Sequence, residues 1–169
     1  MTEPQIEQRP AQPYLGIAGR ITDGVPAFVD EAFPALFRWL GEHGIKPSGP
    51  PFIRFRELDA QGEPIQIEVA APVEAEAQGG ERVHAGSLPA GRYLTLLHRG
   101  PYRSTSTPDL ATARERLTSF AASQGLVHSR ATANGTTLPC AVERYLIGPM
   151  EEPDFTKWET EFAYLVLDE

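Results

Sequence analysis

Glu143 and Tyr145 are the two residues of this chain best spaced to do chemistry together. They lie in the run CAVERYLIGP at 140–149. It reads as a short strand closed by a Gly-Pro stop, because glycine breaks the run and proline cannot donate to a ladder. Strand alternation puts Glu143 and Tyr145 on one face, with Val142 and Leu146 on the other. A carboxylate and a phenol sharing one face of an otherwise apolar strand are costly to place in an interior. The pair is therefore either out in solvent or lining a pocket. In a pocket among aromatics, desolvation would disfavour the charged carboxylate. A lipophilic cation would restore the balance by pairing with it. A partly protonated Glu143 could instead act as a general acid toward a strained electrophilic ring, or as a base orienting water.

Other side chains are candidates for the same site. Tyr102, after a Gly-Pro turn, offers a flat apolar body and a polar tip. Trp158 either walls a pocket by stacking on a planar ligand or anchors the last strand. Trp39 sits beside Phe37 and Leu40 on a helix, where core packing competes with ligand contact. His98, between Leu97 and Arg99 at a strand end, is either a hydrogen-bonded structural residue or a site residue. Phe55 is a further candidate lining residue. Glu161 alternates with Phe162; the ring is expected toward the helices, which leaves Glu161 on the open side of the sheet, in pocket or solvent. His43, His84, His98 and His128 show no metal-ligand spacing. The glycines form no dinucleotide or Walker loop, and Cys140 has no evident activator. Neither metal nor cofactor is expected.

Fifteen Lys and Arg against 23 Asp and Glu leave a formal net charge of −8 over 169 residues. Nucleic-acid partners usually meet a basic patch, so this balance speaks against direct contact with a phosphate backbone. It is compatible with attracting cations, and equally with solubility alone. Hydrophobic residues at 41% and charged residues at 22% are ordinary for a globular chain. The length fits one domain burying roughly 70% of its unfolded surface. No apolar run approaches the ~18 residues that span a bilayer, so no membrane contact is expected. Residues 1–13 carry Gln, Glu and Pro with almost nothing apolar; they lack a signal-peptide core and read as a disordered tail. A lone cysteine suits a reducing compartment, and a cytoplasmic location is expected.

The elements that must position these side chains repeat. Residues 14–22 form a strand weakened by Gly16 and Gly19. Phe33, Leu36, Phe37 and Leu40 recur at helical spacing, with Pro34 in a first turn and Gly44 as a stop. Residues 51–56 and 65–69 are two strands around a turn at 59–63. A polar loop at 74–81 joins the halves. Extended chain follows over 82–99, interrupted by a turn at 88–91. Thr107 then reads as a helix N-cap, Pro108 as the first helical position and Asp109 as an acid near the positive helix end. Leu110, Ala113, Leu117, Phe120 and Ala121 make one apolar stripe, closed by Gly125. The strand of Glu143 and a last strand at 162–167 complete the order. IEVA at 67–70 is echoed by TEFA at 160–163. The expected fold is thus α+β: two strand–helix–strand–strand units, about 14–73 and 82–169, in a single domain over 14–169. They would form one curved antiparallel sheet with both helices on one face and a central cleft along the pseudo-twofold seam, where small-molecule pockets usually lie.

Six phrases then stand in order: GPPFIRF at 49–55, LPAGRY at 88–93, HRGPY at 98–102, ERYLIGP at 143–149, EPD at 152–154 and KWETE at 157–161. Together they resemble the GyrI-like small-molecule-binding domains, relatives of the effector-binding domains of multidrug-sensing transcription regulators. The resemblance covers nearly everything from Tyr14 to the end. It implies a duplicated α+β fold with a central pocket for flat, lipophilic, often cationic compounds, and it matches Glu143 to a buried pocket glutamate. Some stand-alone members resemble hydrolases that open cyclopropane-containing genotoxic compounds. Members often read Tyr-Leu-Thr-Asp-Pro where this chain has Tyr-Leu-Ile-Gly-Pro, so Ile147 and Gly148 remove a hydroxyl and a carboxylate and should alter the turn more than the chemistry. No helix-turn-helix is read, so a fused regulator is not expected. The alternative expectation is a protein-interaction module acting on a target such as DNA gyrase, with the acidic loop at 74–81 as its working surface.

Overall fold

Strands and helices alternate in the order β1 (Gln5–Arg9), β2 (Gln12–Arg20), α1 (Val25–Glu42), β3 (Phe52–Asp59), β4 (Pro64–Pro72), β5 (His84–Leu88), β6 (Gly91–Arg99), α2 (Leu110–Ser123), β7 (Arg130–Thr132), β8 (Gly135–Ile147) and β9 (Glu159–Leu165). The computed structural model describes residues 3–167. One antiparallel sheet runs β1-β6-β9-β8-β3-β4-β2-β5, with β7 paired to β8 beside this path. The fold is α+β, as expected, with both helices on one face of the sheet. Leu36 and Leu40 of α1 pack on Leu15, Ile17, Ile53, Ile67 and Val69. Ala113, Leu117 and Ala121 of α2 pack on Leu94, Leu96, Ala141 and Phe162. Tyr14, Phe52, Tyr93, Cys140 and Val142 make a separate cluster on the other face. Period-two alternation in each strand produces this division.

Two helix starts differ from expectation. Pro34 lies inside α1 instead of in its first turn, because the helix begins at Val25 with Pro26 in the first-turn position. Asp109, not Thr107, caps α2: its carboxylate accepts from the Thr112 N–H at 3.1 Å. The Thr107 hydroxyl is turned to Ser104 Oγ, 2.9 Å away.

The tail reading is overturned for residues 5–9, which form β1 on the edge of β6, from Gln5 opposite Thr95 to Arg9 opposite Gly91. Met1 and Thr2 lie outside the described residues. Almost nothing apolar marks β1, because ladder hydrogen bonds hold it and because Arg9 reaches Glu161 at 3.0 Å. In the other half, β5 lies on β2 in the matching register, His84 opposite Gly16 and Leu88 opposite Gln12. Each unit therefore opens with an arm laid across its counterpart. Deleting residues 1–10 should bare the β6 edge and cost about 2 kcal/mol, shifting the thermal midpoint down by roughly 4–8 °C for a chain of this size. A deletion variant melting with the full chain would contradict the arm's structural role.

The register also locates the pseudo-twofold. Arg54 stands opposite Glu68 in β3–β4 as Arg144 stands opposite Glu161 in β8–β9. Ile53 is then the counterpart of Glu143, Phe55 of Tyr145, and Ile67 of Thr160. Ile53 and Glu143 are themselves paired across β3–β8. The seam between the halves passes through that pair.

Candidate functional site

Glu143 lies on the helix face of the sheet, at the seam, with only 1% of its surface exposed. β8 carries it between Ile53 of β3 and Phe162 of β9. Arg114 reaches down from α2, placing Nη2 2.7 Å and Nε 3.2 Å from Glu143 Oε2. The Tyr145 hydroxyl donates to Oε1 over a long 3.5 Å. The guanidinium also lies 5.8 Å from the Phe162 ring centre. Its side chain is 42% exposed, against 2% for Glu143. Arg114 is thus a partly solvated cover over a buried acid.

An aromatic wall closes the adjoining side. Tyr102 meets Tyr145 edge-on at 5.8 Å and Trp158 at 4.7 Å, with Phe155 beyond at 6.4 Å from Trp158. The Trp158 indole N–H donates to the Glu152 carbonyl at 2.7 Å, which fixes its ring. Gly148 gives the departure in the family phrase a physical meaning. A Cβ there would stand 3.1 Å from the Tyr102 hydroxyl, so a bare residue lets that ring sit against the turn. Glu151 takes up the turn's hydrogen bonding, accepting from the Gly148 N–H at 3.0 Å. These side chains meet at the seam.

Electrostatics single out Glu143 among three interior acids. Burial pushes its carboxyl above the ordinary range, and Arg114 and Tyr145 offset this only in part. Burial also acts on Glu68 and Glu161, yet Arg56 with His84, and Arg9 with Arg144, hold those two below the ordinary range. Burial raises Tyr145 well above its usual value and Tyr102 to about 12. Both phenols are therefore protonated and able to donate at neutral pH. The folded chain holds the Glu143 proton more tightly than the unfolded chain does, so its contribution to stability is present below the unfolded carboxyl pKa. That contribution is lost as pH rises through the raised folded value. Glu143→Gln should erase this dependence. Its stability relative to wild type should climb as the pH rises from the unfolded carboxyl range toward neutrality. Denaturant titrations of both proteins across that range check it; parallel curves would show an unshifted acid.

The structure brings together Glu143, Tyr145, Tyr102 and Trp158. Phe55 borders them, packing against both helix-side clusters. His98 lies in the row of Tyr145, two strands away and next to the row of Glu143, buried, with Nε2 3.1 Å from the Pro101 carbonyl. Trp39 does not join them: it stacks on His43 at 3.9 Å and borders Gly80. Glu161 does not join either. The expectation that Phe162 faces the helices holds, and so Glu161 points to the opposite face, clasped by Arg9 at 3.0 Å and Arg144 at 2.9 Å. Two residues at the seam were missed, Arg114 and Thr160. Arg114 stands four after Leu110 and three before Leu117, so a cation inside an apolar helical stripe was its signal. Thr160 shares its strand face with Phe162 and Tyr164.

A profile of the GyrI-like small molecule binding domain matches residues 2–163, and the chain belongs to that family. Its fold is that of EcmrR: the EcmrR–DNA complex superposes with a TM-score of 0.80 at 15% identity, covering 99% of this chain and 58% of that one. The EcmrR C-terminal domain alone superposes at 0.73 and 16% identity, covering 99% of this chain and 98% of that domain. The present chain thus spans little more than half the EcmrR chain in the DNA complex. SAV2435 bound to tetraphenylphosphonium has a TM-score of 0.59 at 14% identity over 98% of this chain and 94% of its own. A hydrolase from Listeria innocua has the same score and identity over 98% and 92%. Curated protein sequences gave no match. No helix among the described residues is long and apolar enough to cross a membrane.

Proposed function

We propose that the chain binds flat, lipophilic, cationic small molecules in the seam between its two helices, with Glu143 as the buried counter-charge. One observation carries this reading. The first unit builds the same part of the sheet with Ile53, Phe55 and Ile67, where the second has Glu143, Tyr145 and Thr160. The fold therefore does not require polar atoms there. Arg114 acts as an internal stand-in for the ligand cation and must swing outward on binding, which its half-solvated position permits. Phe55, Tyr102, Tyr145 and Trp158 then supply flat apolar surface. The tetraphenylphosphonium held by SAV2435, a protein of the same fold, is a suitable first probe. Calorimetric titration should show saturable one-to-one binding of this cation. Absence of saturable binding would remove the proposal.

A second step rests on the raised carboxyl of Glu143. With Arg114 displaced by a neutral, strained-ring electrophile, protonated Glu143 can act as general acid. Water oxygen bonds to a ring carbon, the strained carbon–carbon bond breaks toward its conjugated acceptor, and that acceptor takes the Glu143 proton. The attacking water restores the proton to the carboxylate. Incubation with a cyclopropane-bearing alkylator should yield a product heavier by one water in mass spectrometry, in amounts exceeding the protein. Stoichiometric protection without turnover would identify a binder only.

A further inference from the structure

Among the described residues, His98 Nδ1 and Thr160 Oγ1, one row along the sheet from Glu143, are buried polar atoms without a hydrogen-bond partner. Both residues are 0% exposed. They are cross-strand partners on β6 and β9, and Thr160 is in turn opposite Tyr145 on β8. His98, Thr160 and Tyr145 thus form one row of the sheet's helix face. Leu96, Phe162 and Glu143 form the next row. The first unit has no polar side chain in the equivalent row, since Gly19 stands opposite Ile67 there and Phe55 beyond. Buried polar groups are paired in nearly all native interiors, and an exception needs a reason. The core of the first unit shows that folding is not that reason.

The two atoms are complementary. His98 Nε2 faces the Pro101 carbonyl at 3.1 Å; a carbonyl only accepts, so Nε2 carries the proton and Nδ1 presents a lone pair. The Thr160 hydroxyl can donate beside it. We propose that His98 and Thr160 form a polar subsite for a neutral ligand group that both donates and accepts, a hydroxyl or a primary amide. This rests on the seam being the ligand site, and it narrows the ligand class to molecules carrying such a group at a set distance from the part meeting Glu143. The rows are two residues apart along the strand, roughly 7 Å, about the reach of one aromatic ring. The backbone that holds His98 runs on into the aromatic wall. The Gly100 N–H donates to the Trp158 carbonyl at 2.8 Å, and Pro101, which holds His98, immediately precedes Tyr102. Parting of Tyr102 and Trp158 would open the wall and the subsite together.

The test uses two matched probes, tetraphenylphosphonium and (4-hydroxymethylphenyl)triphenylphosphonium, against wild type, Thr160→Val and Thr160→Ser. Wild type should prefer the hydroxymethyl probe by about tenfold, the worth of one good hydrogen bond. Thr160→Val should lose that preference between the two probes, and Thr160→Ser should keep it. Without probe, Thr160→Val should melt at or above the wild-type midpoint, since a methyl replaces an unpaired hydroxyl. Equal preference in wild type and Thr160→Val, with tetraphenylphosphonium still bound, would overturn the subsite and leave the seam reading intact. A lowered midpoint for Thr160→Val would also overturn it, because the hydroxyl would then be serving the fold. Failure of wild type to bind either probe would overturn the seam reading itself, and the subsite with it.

Discussion

Glu143→Gln is expected to weaken tetraphenylphosphonium binding by about thirtyfold. Removing one partner of a buried charge pair costs about 2–5 kcal/mol, and 1.4 kcal/mol is tenfold in affinity. The low end applies here for a structural reason. In wild type the ligand must first displace Arg114 from 2.7 Å contact with the carboxylate, and the amide variant no longer holds that arginine as firmly. The loss is therefore ligand attraction less the relief of competition. Glutamine keeps the size of the side chain and can still meet the Tyr145 hydroxyl, so the wall geometry is preserved. Calorimetric titration of both proteins under one buffer measures the ratio. The overall charge of −8 is nearly unchanged by the substitution, so general attraction of cations to an acidic chain cannot produce the difference.

Arg114→Met is expected to act in the opposite direction on binding and in the same direction as a core lesion on stability. The methionine keeps much of the apolar stem over Phe162 while removing the guanidinium. An unpaired carboxylate is left behind, and breaking a buried pair costs about 3–5 kcal/mol. The exposed half of Arg114 reduces this, to roughly 2 kcal/mol. Affinity for tetraphenylphosphonium at pH 8, where alkaline conditions favour the ionised carboxyl, should rise about tenfold because no internal cation competes. The added cation should then raise the variant's melting temperature more than that of wild type, since a ligand that binds only the native state stabilises it. A variant that is less stable yet binds no more tightly would show that Arg114 belongs to the site's scaffold and not to its gate.

Much of this architecture was legible before any coordinate. Alternation put Glu143 with Tyr145 and set Phe162 opposite Glu161, because a strand's faces are set by parity and survive small errors in its ends; that the ring faces the helices was an expectation from its apolar character. The duplication was legible from the order of elements, and it implied a seam. What escaped were features held by long-range pairing. β1 has almost no apolar residue to announce it, and only its register on β6 and the Arg9–Glu161 contact make it a strand. Parity leaves Glu161 open between pocket and solvent; its two arginine partners come from β1 and β8, and no local pattern brings them together. For Trp39 core packing competed with ligand contact, and α1 packs it against the first helix-side cluster, His43 and the loop at Gly80. Arg114 was visible as a cation within an apolar stripe, a signal obscured by its neighbours' regular spacing. Its meaning depends on Glu143 lying below it.

The most direct test is the pH dependence of tetraphenylphosphonium affinity in wild type and Glu143→Gln, measured from pH 8 to pH 5. A buried carboxyl raised by desolvation binds a cation only when ionised, so the cation and the proton compete for it. Wild-type affinity should fall steadily as the pH is lowered through the raised Glu143 value, with a proton released on binding at the lower end. Glu143→Gln should bind weakly and equally across the range. Parallel curves for the two proteins would contradict a buried acid at the seam as the seat of binding.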